Sequence, residues 1–151
     1  MKVKIRKIER KEAEQVVIEC VKITPEIRDI CVYAQAKGKE LTGTESGKSF
    51  RFPLEEVYYF EALDEKVFAY TKTKVYEVKI RLYEVERAYG RYHFIRCSKS
   101  MVLNLMQLEC ISPALNGRFF AHMKNGEKLM ISRQYVPNLK SAVLGDGGSM
   151  E

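Results

Sequence analysis

The sequence predicts a mainly β protein: an antiparallel sheet assembly with short peripheral helices and a small N-terminal α/β extension. Three observations lead there. From Phe52 onward, short runs of β-branched and aromatic residues alternate with polar ones, as strands with one buried face do. Turn signals recur roughly every ten residues. Two Asn-Gly pairs, Asn116-Gly117 and Asn125-Gly126, lie nine residues apart, a spacing that fits three short strands in a meander.

The elements follow in order. "KVKIRKI" alternates Val3 and Ile5 with Lys2, Lys4 and Arg6, and reads as a strand. "QVVIECVKI" is rich in β-branched residues and reads as a second. "TPEIRDICVYAQAKG" is helical, with Thr24 as cap, Pro25 at the first position and Gly38 at the end. Ile27, Ile30, Cys31 and Ala34 give that helix one apolar face, expected to dock on the rest of the chain or on a second copy. "ELTGTESGKSFRF" forms a hairpin turning at Ser46-Gly47. "VYYFEAL" and "VFAYT" are strands around a turn at Asp64-Glu65-Lys66. "KVYEVKIRL" places Tyr76, Val78, Ile80 and Leu82 on one face. "RLYEVERAYG" then switches to helical spacing at Leu82, Val85 and Tyr89, with Gly90 as the stop. "YHFIRCSKSMVLNLMQLECISP" is a strand interrupted by the polar patch Ser98-Lys99-Ser100. After the meander, with its two-residue positive-φ turn at Asn125-Gly126, Pro137 opens a last helix, so residues 132–136 are expected to stay a connection. "GDGGSME" reads as a flexible tail. The expected division is 1–48 for the extension, a dimerisation or regulatory unit; 49–144 for the main domain; and 145–151 for the tail.

Composition narrows the function. Hydrophobic residues make up 46% of the chain and aromatics 11%, enough for a packed core and against a disordered chain. The net charge is +6, and it is uneven. Residues 91–144 hold 8 basic and 2 acidic side chains, as expected where a surface faces a polyanion. The cysteines Cys20, Cys31, Cys97 and Cys110 have no C-x-x-C spacing and no signal peptide precedes them, which points to reduced thiols and a cytoplasmic setting. His93 and His122 lack ligand spacing with them, so no metal or other cofactor is expected; each reads as a strand residue with a satisfied side chain. No apolar run approaches the ~18 residues of a membrane span. There is no glycine-rich phosphate loop and no G-x-S-x-G. Glu55-Glu56 and Asp64-Glu65 fall in turns as solvated charge, and no enzyme is expected. The three aspartates, Asp29, Asp64 and Asp146, sit in a helix, a turn and the tail, which excludes a phosphorylated receiver domain.

One long pattern remains. Phe94, Arg96, Ser98, Lys99 and Ser100 are followed by Val102, Asn104 and Leu105, then by the Asn125-Gly126 hairpin, then by Ser132-Arg133 and a helix. This order resembles the LytTR (LytR/AlgR-type) DNA-binding domain over roughly 50–144, in a stand-alone form without a receiver; Ser98 stands where histidine is common. The resemblance implies an elongated antiparallel β fold that reads double-stranded DNA through loops, at paired direct repeats in promoters and as two protomers. It also implies transcription regulation, in a context where a small membrane protein often restrains the regulator. On this reading Lys99, Arg133 and Gln134 face base edges, since Arg or Lys suits guanine O6 and N7 and Gln suits adenine N6 and N7. Lys66 belongs to a third reading loop. Arg96, Ser98, Ser100 and Tyr135 contact phosphates or shape the loops, and Asn104 holds a turn. The alternative is a protein-interaction or sensory module on a β scaffold with weak or no specific DNA binding. An RNA-binding domain ranks third, because the aromatics occupy core-like alternating positions and not exposed stacking ones.

Overall fold

The computed structural model describes residues 1–149. Helix α1 (Pro25–Ala36) starts as its sequence dictates: Thr24 Oγ1 accepts from the Ile27 amide, Pro25 occupies the first turn, and Gly38 follows the end with φ +88°. The strands β1 (Glu40–Glu45), β2 (Lys48–Pro53), β3 (Tyr59–Leu63), β4 (Lys66–Tyr70) and β5 (Val75–Val78) come next, then helix α2 (Leu82–Tyr89), β6 (Phe94–Ser98) and β7 (Met101–Asn104). The chain continues with β8 (Leu108–Pro113), β9 (Phe119–Met123), β10 (Lys128–Ile131) and helix α3 (Val136–Ser149). Seven strands form one antiparallel sheet in the order β2-β1-β5-β4-β3-β7-β6, and β10-β9-β8 form a second.

Period-two alternation builds two cores from one sheet. Phe60 and Val102 point to one face, where they meet Leu54, Val85, Tyr92 and Phe94. Their neighbours Tyr59 and Leu103 point to the other, against Ala121, Met123, Ile131 and Leu139 of the small sheet and α3. The central strands β3 and β7 are therefore buried on both sides. Asn104 is the buried polar residue between them. Its Nδ2 donates to Val57 O at 2.9 Å and its Oδ1 accepts from Met106 N at 3.0 Å, so it holds a turn as expected. Gly43 lets β1 close on β5: a Cβ there would lie 2.7 Å from Tyr76 Cβ, which any side chain would have to relieve by moving the strand.

Several expectations are corrected. Residues 1–23 form no strand; one 3₁₀ turn, Lys11–Ala13, interrupts an exposed extended chain. Alternation supplies strand propensity, but a strand also needs an edge to pair with, and this one has none within the chain. The hairpin of β1 and β2 crosses the boundary expected at 48, and β1 pairs with β5 at Thr44 and Glu77. Helix α1 docks on the first core through Val32 and Ala36; Ile27 is buried as well, while Ile30 is exposed. Helix α2 ends at Tyr89 with Gly90 as its cap, as expected, but Gly90 keeps right-handed φ and ψ and opens a 3₁₀ turn, Gly90–Tyr92; the left-handed position falls on His93, at φ +70°. His93 is thus a turn residue, and its Nε2 has no hydrogen-bond partner among the described residues, lying 3.7 Å from Asp29 Oδ1. His122, on β9, is satisfied by Ser112 Oγ at 2.7 Å. At 125–126 only Gly126 has positive φ. Gly126 N donates to Met123 O and Met123 N to Glu127 O, so the loop is a three-residue one closed by glycine, not a two-residue turn. The expected tail begins at Gly145, whose φ of +76° breaks the line of α3, and the helical assignment runs on to Ser149 where a flexible tail was expected; Met150 and Glu151 lie outside the described residues.

Candidate nucleic-acid interface

Strand pairing gathers four loops at one end of the molecule. β3 pairs with β4 as far as Leu63 and Lys66, and with β7 at Glu61 and Met101. Ala62 N also donates to Ser100 O at 2.8 Å. The 64–65 and 99–100 hairpin tips are therefore neighbours. Ser132 N donates to Cys97 O at 2.9 Å, which fastens the chain after β10 to the edge strand β6. Arg133 then lies over the Asn116-Gly117 turn, because a Cβ on Gly117 would meet Arg133 Cδ at 3.0 Å. With φ +76° as well, Gly117 is the residue type this contact requires.

The β6–β7 tip is braced from below. Arg96 donates from Nε to Ser98 O at 2.7 Å, and from its two terminal nitrogens to Glu86 Oε1 and to Lys99 O. Ser98 Oγ accepts from Ser100 N at 3.2 Å. A register shift between Arg96 and Ser98 leaves Cys97 opposite no β7 residue, a bulge that re-aims the tip. Cys97 points inward, fully buried. Burial pushes its thiol up to about 12, with Glu61 adding and Arg96 opposing, so it stays protonated. Arg96 and Ser98 are thus spent largely on shaping the loop, which leaves Lys99 exposed at its apex.

Arg133, Gln134 and Tyr135 form one 3₁₀ turn, with Tyr135 N donating to Ser132 O at 2.9 Å. The plain connection expected over 132–136 is therefore a tight turn leading straight into α3. Arg133 and Gln134 are exposed, while Tyr135 is half-buried and packs on the second core. Tyr135 and Arg96 share a shallow groove with Glu86 and Asn138. Among the described residues, neither Lys99 nor Arg133 has an ion-pair partner. Lys66 differs: its Nζ lies 3.8 Å from Glu77 Oε1, beside Asp64 and Glu65.

Nothing in the sequence marks the loop over 114–118 as part of this surface. Arg118 there donates through Nε to Leu115 O at 3.0 Å, and the exposed Asn116 borders Arg133 through Gly117. The local signal, Asn-Gly followed by arginine, reads only as a hairpin; its place beside Arg133 is tertiary. Glu86, which holds Arg96, was equally invisible, being ten residues away on a helix.

Fold and loops together define a β-sheet domain that presents cations from turns and not from a recognition helix. The model of the LytTr DNA-binding domain matches residues 47–144, and the chain belongs to that family. A solved LytTr DNA-binding domain from Bacillus cereus is 27% identical, with a TM-score of 0.65 over 70% of this chain and 98% of that one. Two Staphylococcus aureus proteins, named as uncharacterized HTH-type transcriptional regulators, are similar as well. That of the bovine strain RF122 is 31% identical over 58% of this chain and 58% of its own length; that of strain NCTC 8325 is 32% identical over 56% and 57%. The chain thus matches under three-fifths of the length of these curated relatives. Strands separate α1, α2 and α3, so the described residues contain no helix-turn-helix. No helix among them is long and apolar enough to cross a membrane.

Proposed function

We propose that this chain is a sequence-specific transcription regulator that reads paired direct repeats in double-stranded DNA through the loops at one end of its sheet. The observation that carries the reading is the convergence of residues 98–100, 114–118 and 132–135, which contain Lys99, Arg118 and Arg133 and no carboxylate. Lys99, Arg133 and Gln134 face base edges. Arg118, Ser100 and Tyr135 meet the flanking backbone, and Arg96 and Ser98 hold the turn in shape. Lys66 sits at the margin of the surface. Two protomers occupy the two repeats, in the cytoplasm, and a small membrane protein that restrains the regulator fits this setting.

Selection of bound sequences from a random duplex pool tests the proposal. The expected product is a site with two copies of one short motif in the same orientation. A pool that shows no enrichment, or binding to all sequences with the same salt slope, contradicts it.

A further inference from the structure

Residues 1–23 pose a separate problem. Val3, Ile5, Val16, Val17, Val21 and Ile23 are 62–108% exposed. The backbone hydrogen bonds of this stretch, Ala13 N to Arg10 O and Glu14 N to Lys11 O, belong to the single turn at Lys11–Ala13. On either side the chain is extended, as at Arg10 (φ −103°, ψ 124°) and Glu14 (φ −61°, ψ 130°). Its two halves bend toward a common groove bordered by Ile5, Ile8 and Val17, without forming a ladder. Such a run of water-exposed Val and Ile at strand-like spacing marks an interaction surface.

Charge selects the occupant. Residues 2–7 carry Lys2, Lys4, Arg6 and Lys7 and no acid; residues 12–19 carry Glu12, Glu14 and Glu19 and no base. An isologous two-fold contact sets residue i of one copy against j of the other and j against i. It therefore places each basic half on the partner's acidic half. A two-stranded ribbon is marginal alone, whereas two ribbons make four strands with a shared apolar face. The 23 residues also match the roughly 20–30 residues a side of a standard interface.

We propose that residues 1–23 are a dimerisation arm whose partner is the same arm of a second copy, with the basic half 2–7 of each paired to the acidic half 12–19 of the other. This deepens the two-protomer reading above and rests on it for its consequence at DNA, though the interface stands without it.

Sedimentation velocity of the full chain without DNA tests the arm, using K2E/K4E/R6E/K7E, which reverses the charge of its basic half, and E12K/E14K/E19K, which reverses that of its acidic half. The wild type is expected to be a dimer at micromolar concentration. Each variant alone is expected to lose at least about tenfold in dimer affinity, and an equimolar mixture to recover a heterodimer. Thermal midpoints should not move, because neither set of changed side chains is buried. A monomeric wild type, variants that remain dimeric, or a mixture that stays monomeric would each overturn the proposal. So would a wild-type chain that is monomeric alone and associates only with a membrane protein. A third variant, V3S/I5S/V17S, keeps every charge; it should be monomeric and bind a single half-site like wild type. Loss of half-site binding in every form would count against the DNA reading and leave the arm result standing.

Discussion

Two hairpin tips lie side by side at the end of the large sheet, and they are built for different neighbours. The β3–β4 tip turns on Asp64 and Glu65, both at positive φ, and its one cation, Lys66, leans toward Glu77. The β6–β7 tip turns on Lys99 and Ser100, contains no acid, and is held from beneath by three donors of Arg96. A single hydrogen bond, Ala62 N to Ser100 O, separates a negative surface from a positive one. A polyanion approaching this end meets attraction over residues 98–100, 114–118 and 132–135 and repulsion at 64–65. On the surface proposed for DNA, charge would set the direction of docking before any base is read.

The brace is the feature whose loss should matter most. Arg96→Ala removes charge-assisted hydrogen bonds to Glu86 and to two carbonyls, and is expected to cost about 1.5–3 kcal/mol of stability. It should weaken specific binding while leaving the salt slope nearly unchanged. A uniform loss across sequences with a smaller slope would instead make Arg96 a phosphate contact. Next, Arg133→Ala is expected to lose about 1–3 kcal/mol on the selected site with the thermal midpoint retained; gel-shift titration against a scrambled duplex reads the difference. Smaller still, D64N/E65Q removes the repulsion at the acidic tip. It should tighten binding to any sequence, by up to about 1 kcal/mol at low salt and less as salt rises.

Alkaline pH separates the tips by a different route, since Cys97 lies beneath only one of them. Its folded value is raised to about 12, and that of Tyr70 likewise, by burial and by its contact with Glu61. A group raised in the fold contributes stability that is intact below its unfolded value, near 9 for the thiol and near 10 for the phenol, and that is lost as pH climbs toward 12. The urea midpoint should therefore fall between pH 9 and 11. At pH 8, exposed Cys20 and Cys110 should react with a thiol reagent while Cys97 reacts only on unfolding. In a Cys31→Ser chain, which lacks the half-buried fourth thiol, rapid reaction of a third thiol in native protein, or a flat urea profile, would show that Cys97 is not sealed under the tip.

Much of this was legible from residues alone where the signal was local. The strands from Tyr59 to Val78, the Thr24 cap, the Ser46-Gly47 turn and the meander all carry their buried face and their turn residues within a few positions. What was not legible depended on partners distant in sequence. The alternation of Val3 and Ile5 is as good as that of Tyr76 and Val78, yet only the latter has a strand beside it. The left-handed position falls on His93 because a 3₁₀ turn intervenes between α2 and β6, and the three-residue loop at 124–126 depends on how β9 and β10 pair. Lys99 and Arg133 stand out in the sequence because one lies in a polar interruption between apolar strands and the other at a hairpin-to-helix junction, whereas Arg118 and Glu86 gain their places only when β8, β9 and α2 pack. Lys66 already differs from Lys99 locally, following Asp64-Glu65 where Lys99 lies between two serines; Glu77, across the strand pair, adds a countering charge that only the fold shows.

That distinction supplies the most direct test. Fluorescence anisotropy should compare Lys99→Ala and Lys66→Ala on the selected duplex and on a scrambled one. Lys99→Ala is expected to lose about 1–3 kcal/mol on the selected duplex and much less on the scrambled one. Lys66→Ala should change either by less than about 0.5 kcal/mol, its charge being already countered. Equal losses for the two variants, or a Lys99→Ala protein that binds both duplexes like wild type, would contradict the account.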